Sequence, residues 1–333
     1  MAKRTVTPRT SQIKRKLLSL CAGASFTLAF ATLTPQLWAQ GKIRIVVSTD
    51  WEGRIVDEAN ITAFQKFRSD YPKIPLQHFL NAAYFTKDGA DAKKLVRDMR
   101  SVIRPGDEQG LHIHAWRSLF KAAGVPFRTE PAFKGPMDPN ACSPDCGHDV
   151  NITAYSEAEL RRVIRVSIKT LTSHGFDRAK SFRAGAWQAD KKVLRALAHE
   201  GITLDSSATD AEFLKERWGK TLLYPVTKKI WPDTTAVSQP HWIGLGDGLK
   251  ILEVPNNGCL ADYVNGETIL ATFQKNAQRL KANPAEDVYV SLGFHQETAV
   301  KFLPNLRQGI DLIEAYANAQ NIPVEYVVPP LDL

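Results

Sequence analysis

The 333-residue sequence predicts an α/β fold, a distorted (β/α)7-8 barrel in a single domain. Three observations predict it. Strand-like and helix-like segments alternate through the body of the chain, as parallel βαβ units require. Seven or eight such units in about 290 residues suit a closed or distorted barrel better than an open doubly wound sheet, the competing architecture. Finally, polar and ionisable residues recur where the strands run out, and a barrel gathers those ends on one face.

The elements follow in order. Residues 42–49 (KIRIVVST) are a β-branched run, and residues 56–71 read as a helix with Ile61, Phe64 and Phe67 on one side. A strand over 75–80 precedes a helix over 90–103 that lines up Leu95, Met99 and Val102, and then a short strand over 110–115. The long helix over 157–174 opens at Ser156, a good N-cap, and stops at Gly175. Strands over 181–184 and 202–204 flank a helix over 190–199. The series ends with a strand over 250–254, a helix over 266–281, a strand over 288–293, a helix over 299–319 and a strand over 324–328. Two stretches break the rhythm. Residues 124–153 carry five prolines and two nearby cysteines, the signature of a lid, a binding loop or a disordered insert. Residues 206–249 are also irregular.

The net charge of +8 invites a nucleic-acid hypothesis, but residues 1–39 hold six basic residues and no acid, so subtracting six leaves +2 for residues 40–333. That balance makes no case for nucleic acid. A basic start, an uncharged apolar run over 17–33 and the small residue Ala39 lay out a secretory signal peptide with cleavage after Ala39. The alternative is an uncleaved anchor, since 17 residues is the lower edge of a membrane span. The body then reads as exported, periplasmic or secreted, touching a membrane only through its N-terminal segment. In an oxidising compartment Cys142 and Cys146 close a small disulfide loop. A metal knuckle with His148 lacks a fourth ligand, and Cys259 is left unpaired and buried.

At the strand ends stand Asp50 and Glu52, His112 and His114, Arg183, Asp205, and His295. His112 and His114 alternate along a strand and so face one side. Imidazoles and a carboxylate are good zinc ligands, and three of them leave a position open for chemistry. A remaining carboxylate can take a proton from water, and a histidine can protonate a leaving group. Metal-assisted hydrolysis of an amide or ester is the reaction this set suits.

The same residues resemble the polysaccharide deacetylase (NodB-like) family of carbohydrate esterases, over roughly residues 42–330. Thr49-Asp50-Trp51-Glu52-Gly53 is similar to its first motif, usually Thr-Phe-Asp-Asp-Gly. Glu108-Gln109-Gly110-Leu111-His112-Ile113-His114-Ala115-Trp116 resembles the second, and Ser181-Phe182-Arg183-Ala184-Gly185 the arginine motif. Leu204-Asp205-Ser206-Ser207 and Ser291-Leu292-Gly293-Phe294-His295 resemble the turn and the final histidine motif. The resemblance implies a distorted (β/α)7 barrel that removes acetyl groups from N-acetylated saccharides with a divalent metal, zinc being the expected one. It implies Asp50 as base, Arg183 as its ion-pair partner and His295 as acid. Glu52, His112 and His114 become the metal ligands, because tryptophans stand at the usual second acid (Trp51) and second histidine (Trp116). Trp51, Trp116 and Trp187 neighbour the motifs and are candidates to stack on a sugar ring, or else to pack under the loops.

Three other readings stay open at this stage. One is a catalytically inactive saccharide-binding protein of the same fold, and another is a hydrolase of a different non-peptide C–N bond. A periplasmic solute-binding protein would need two lobes, whereas the alternation here is uninterrupted.

Overall fold

The computed structural model describes residues 41–135, 137, 138, 142 and 144–329. The expected signal segment lies outside these residues, and among them no helix is long and apolar enough to cross a membrane. β1 (Ile43–Asp50) leads into α1 (Glu58–Asp70) and β2 (Leu76–Leu80). The short α2 (Ala83–Thr86) and α3 (Ala92–Arg100) precede β3 (Glu108–Ile113) and α4 (Arg117–Ala122). After the insert come α5 (Glu157–Ser173), β4 (Ser181–Ala184), α6 (Lys191–His199) and the two-residue β5 (Leu204–Asp205). Then α7 (Glu212–Trp218), α8 (Leu223–Ile230) and the hairpin of β6 (His241–Gly246) with β7 (Leu249–Glu253) are followed by α9 (Gly266–Ala282), β8 (Val288–His295), α10 (Ala299–Gln320) and β9 (Val324–Tyr326).

These strands form one sheet in the order β6-β7-β5-β4-β3-β2-β1-β8, with β9 paired to the start of β1. Every pairing is parallel except that of β6 with β7. Seven parallel strands, from β7 round to β8, make the distorted barrel that the alternation predicts. Helices cover the sheet's outer face, so β1 is buried along nearly all its length and reads as an apolar run rather than an alternation. Phe64 and Phe67 of α1 meet Phe294 of β8 in this layer, with the Phe64 and Phe294 rings edge to face at 4.9 Å.

The barrel has a seam between β7 and β8, and polar side chains bridge it. Asn257 Nδ2 donates to the Tyr289 carbonyl (2.9 Å), its Oδ1 accepts from Ser291 N–H (2.8 Å), and Asn256 Nδ2 donates to the Ser291 carbonyl (3.1 Å). Backbone bonds from Gly258 and Ala261 to β8 complete the seam. The segment following β7 thus stands in for a strand pairing and satisfies the β8 groups that would otherwise be buried alone.

The helix signals operate as the sequence implies. Ser156 and Glu159 form a reciprocal capping box at the start of α5, and Asp190 and Asn265 cap α6 and α9. Three expectations are corrected. The stretch 206–249 is not irregular throughout: it holds α7, α8 and β6, with Pro225 tolerated in the first turns of α8. The strand expected over 202–204 is Leu204–Asp205. The segments Ala83–Thr86 and Arg117–Ala122 are helical, being too short to show a period. The insert is docked rather than loose. Ala132 pairs with Val150 in an antiparallel bridge, Arg117 N–H donates to the Cys146 carbonyl (2.8 Å), and Cys142 and Cys146 form the expected disulfide. Cys259 is free and buried.

At the other end of the barrel, Glu108 opens β3. Burial pushes its carboxyl up to about 7, against the opposing effect of the Ser181 hydroxyl that donates to both oxygens. A carboxyl with a folded-state pKa above its unfolded value contributes stability at acid pH that is lost as pH rises through about 7. Glu108→Gln is therefore expected to raise Tm at pH 8.5 and to leave it almost unchanged at pH 5. Equal shifts at the two pH values, in thermal melts followed by circular dichroism, would contradict this.

Candidate metal centre and active-site cleft

Strand register brings the candidate residues together. Asp50 at the end of β1 lies beside His295 at the end of β8, and His112 of β3 lies beside Arg183 of β4. They open into a cleft of about 410 Å³ lined by Asp50, Glu52, His112, His114, His148, Trp187, Asp262 and His295, among others.

Asp50 and Arg183 form a buried ion pair, Nη1 to Oδ1 at 2.8 Å. The guanidinium is fixed on every side. It donates to Ser48 Oγ (2.8 Å), to the Ser206 carbonyl (2.9 Å) and to Ser206 Oγ (2.9 Å), and lies over the Phe79 ring. The Asp-Ser-Ser turn after β5 is thereby explained. Ser206 holds Arg183, while Ser207 Oγ donates to Asp205 and accepts from Ala184 N–H.

Four imidazoles converge on the Glu52 carboxylate. His114 Nε2 lies 3.0 Å from Oε2, and His148 Nε2 is in close contact with the same oxygen. His295 Nε2 is 3.2 Å and His112 Nε2 3.4 Å from Oε1. Glu52, His114 and His148 present ligand atoms that all lie within 4.8 Å of one another. His112 stands just outside that trio.

The donor chemistry fits a cation. His114 Nδ1 lies 2.7 Å from the His148 carbonyl, and His112 Nδ1 lies 2.8 Å from the Arg183 carbonyl. A carbonyl only accepts, so both Nδ1 atoms carry the hydrogen, and each ring turns its Nε2 toward Glu52. Both Nε2 atoms are buried and have no hydrogen-bond partner. Burial, outweighing Glu52, lowers the His114 pKa to about 4, which keeps it a neutral ligand. Lone pairs facing a carboxylate are repulsive unless a positive ion lies between them, so the residues present fit a divalent metal. Burial alone would raise the Glu52 pKa; the surrounding imidazoles hold it well below the usual range.

His295 is of a different kind. Its Nδ1 pairs with Asp262 (3.1 Å), which Thr298 and the His295 backbone also contact. Burial would lower its pKa, but Asp262 and Glu52 raise it well above the ordinary imidazole value. It is built to carry a proton.

Position in the sequence did not point to His148, Asp262 or Glu297. His148 comes from the irregular insert. Gly147 lets the insert approach β3, for its φ is +105° and a Cβ there would lie 2.1 Å from the Ala115 carbonyl oxygen. Gly185 gives the His114 ring its room, since a Cβ would meet it at 2.6 Å. Beyond the histidine of the final motif, Glu297 accepts from the backbone N–H groups of Glu52 (3.1 Å) and Arg54 (3.2 Å), and from the Tyr84 hydroxyl. It fixes the loop that presents Glu52. Glu297→Ala is expected to weaken binding of a divalent metal at this site about tenfold, the scale seen when a residue supporting a ligand is lost. Calorimetric titration of the full chain checks this, and an unchanged affinity would contradict it.

The three tryptophans do not share one role. Trp51 is a correction. Strand alternation turns it away from Asp50 and Glu52 into the core, fully buried against Phe64 and Tyr84, so it has no face to offer a sugar. Trp116 is corrected likewise. It is buried, donates from Nε1 to the Glu52 carbonyl (2.8 Å) and is covered by Lys87, so it anchors the loop that carries Glu52. Trp187 does line the cleft. It and Ala186 both have φ of 55°, a costly conformation for non-glycine residues, held by bonds from Trp231 Nε1 to the Trp187 carbonyl (2.8 Å) and from Trp187 Nε1 to Asn256 (3.1 Å).

No protein-family model and no curated protein matches the chain. Solved structures do. One described as a polysaccharide deacetylase from Mycobacterium smegmatis is similar over 88% of this chain and 96% of its own, at 13% identity and a TM-score of 0.48. One so described from Pseudomonas aeruginosa PAO1 is similar over 86% and 88%, at 13% identity and a TM-score of 0.47. Puue allantoinase is similar over 86% and 87%, at 14% identity and a TM-score of 0.48.

Proposed function

We propose that the protein is an exported, zinc-dependent hydrolase that removes acetyl groups from an N-acetylated saccharide. The observation that carries the reading is the convergence of buried imidazole nitrogens on the Glu52 carboxylate, beside an Asp50 already paired to Arg183. Glu52, His114 and His148 would hold the metal. When bound, zinc supplies Lewis-acid polarisation of the acetyl carbonyl and acidifies water. Asp50 then accepts the proton of the attacking water. Arg183 orients Asp50 through their buried ion pair, Nη1 to Oδ1 at 2.8 Å. His295, protonated through Asp262, gives its proton to the departing amine nitrogen. Trp187 and Tyr263, edge to face at 5.3 Å, offer aromatic surface on the cleft wall for the sugar. Acetate release from N-acetylated oligosaccharides by the full chain, with zinc and after chelation, tests the reading. Release that persists unchanged without metal would overturn it.

A further inference from the structure

A second concavity, outside the cleft, has the make-up of a ligand site. It holds about 540 Å³ and is lined by residues of α6, α8 and β6 together with Asn151 and Thr153. α8 divides it from the cleft: Leu223 lines the cleft, whereas Val226, Lys229 and Ile230 line the second site, and no described residue lines both. Leu194, Val226, Ile230, Trp231 and Ile243 make its lining largely apolar. Trp231 is buried, and its Nε1 is already given to the Trp187 carbonyl (2.8 Å), so it offers the site only ring surface. Three polar side chains there have demands that the protein leaves unmet. Lys191 and Lys229 line the site, and neither has a carboxylate partner among the described residues. Asp190, the acid in the lining, is turned to its own helix: it accepts from Val193 N–H at 3.0 Å and lies 3.8 Å from Lys192 Nζ. Asn151 is only 3% exposed, and its Oδ1 is buried without a hydrogen-bond partner. A buried acceptor left unpaired costs free energy that a donor on a ligand recovers. A concavity of several hundred Å³ with an apolar lining and a few convergent polar groups is the usual form of a small-molecule site.

We propose that this second site binds a small amphipathic carboxylate of the N-acylated amino acid type, with the acyl chain on the apolar lining, the amide N–H donated to Asn151 Oδ1 and the carboxylate paired with Lys191 and Lys229. Each part of such a ligand answers one feature of the site. The chain covers the surface that Val226, Ile230, Trp231 and Ile243 present. The amide N–H supplies the hydrogen that Asn151 lacks. The carboxylate meets two ammonium groups, which act as point charges on flexible stems and so select its charge rather than its geometry. Binding there is independent of the reaction proposed for the cleft.

The test uses the full chain and three probes that differ in one group each: N-octanoylglycine, its neutral amide N-octanoylglycinamide, and N-octanoylsarcosine, in which a methyl replaces the amide hydrogen. Affinities come from calorimetry. N-octanoylglycine is expected to bind one per chain, at least about fivefold more tightly than the neutral amide at low salt, with the advantage shrinking as salt screens the lysines. The N-methylated probe is expected to bind about tenfold more weakly than N-octanoylglycine, because it has no hydrogen for Asn151. Lys191→Gln with Lys229→Gln, both exposed positions, should abolish the advantage of the acid and leave the affinity of the neutral amide within about twofold. The titrations are made on zinc-loaded chain and again after chelation, since a metal in the cleft is a competing seat for a carboxylate, and the affinity is expected to be the same in both. Binding of none of the probes, equal affinity for the acid and its amide, equal affinity for the N-methylated probe, an advantage that survives the double substitution, or binding that disappears on chelation would overturn the proposal. None of these outcomes bears on acetate release, so the reading of the cleft stands or falls separately.

Discussion

Replacing Asp50 with Asn is expected to reduce acetate release by about 10³-fold, within the range a positioned general base supplies, while zinc content stays at the wild-type level. The two parts of the result belong together. Asp50 touches Arg183 rather than the imidazole cluster, so its loss removes the proton acceptor and leaves the ligands in place. Asparagine keeps the size and one acceptor oxygen, so the fold is retained, although Arg183 then faces a neutral partner in a buried site. Metal analysis beside an acetate assay checks both. Wild-type activity in the variant, or loss of zinc with it, would contradict the role.

The second large effect separates two ligand sets. His148→Asn is expected to weaken zinc binding by at least about 100-fold and to bring acetate release to background, because it deletes a ligand outright. His112→Asn is expected to keep zinc bound, because His112 lies outside the group of ligand atoms within 4.8 Å that Glu52, His114 and His148 form. Zinc titration of both full-length variants decides between them. If His112→Asn loses the metal and His148→Asn holds it, the sequence motif set of Glu52, His112 and His114 is the correct one.

That contrast shows where the sequence is legible. The barrel could be read because a parallel strand buried on both faces leaves a β-branched run such as IRIVVST, and each helix carries its own stop and start signals, such as Ser156 and Gly175. Asp50, Arg183 and His295 could be placed because they end strands, and strand ends on a barrel converge whatever the loops do. His148 could not be placed this way. It reaches the site through a docked insert whose path depends on a disulfide, the close approach at Gly147 and the bridge of Ala132 to Val150, none of which has a sequence period. Its one signal was a histidine two residues after Cys146, which points equally to a cysteine-based site. Asp262 and Glu297 are likewise fixed by tertiary contacts, to His295 and to the Glu52 backbone. Trp51 is the opposite case: alternation alone turns it to the face opposite Asp50 and Glu52, so its place in the core follows from period two. The short helices α7 and α8 stayed hidden because seven or eight residues scarcely establish a helical period.

The proposed site has Glu52, His114 and His148 holding one metal ion beside the Asp50–Arg183 pair. A crystal structure of the zinc-loaded full chain, with anomalous data collected at the zinc edge, tests this. One strong peak is expected at about 2.0–2.2 Å from Glu52 Oε2, His114 Nε2 and His148 Nε2. A peak ligated instead by His112 or His295, or no peak among these residues in protein that releases acetate, would contradict it.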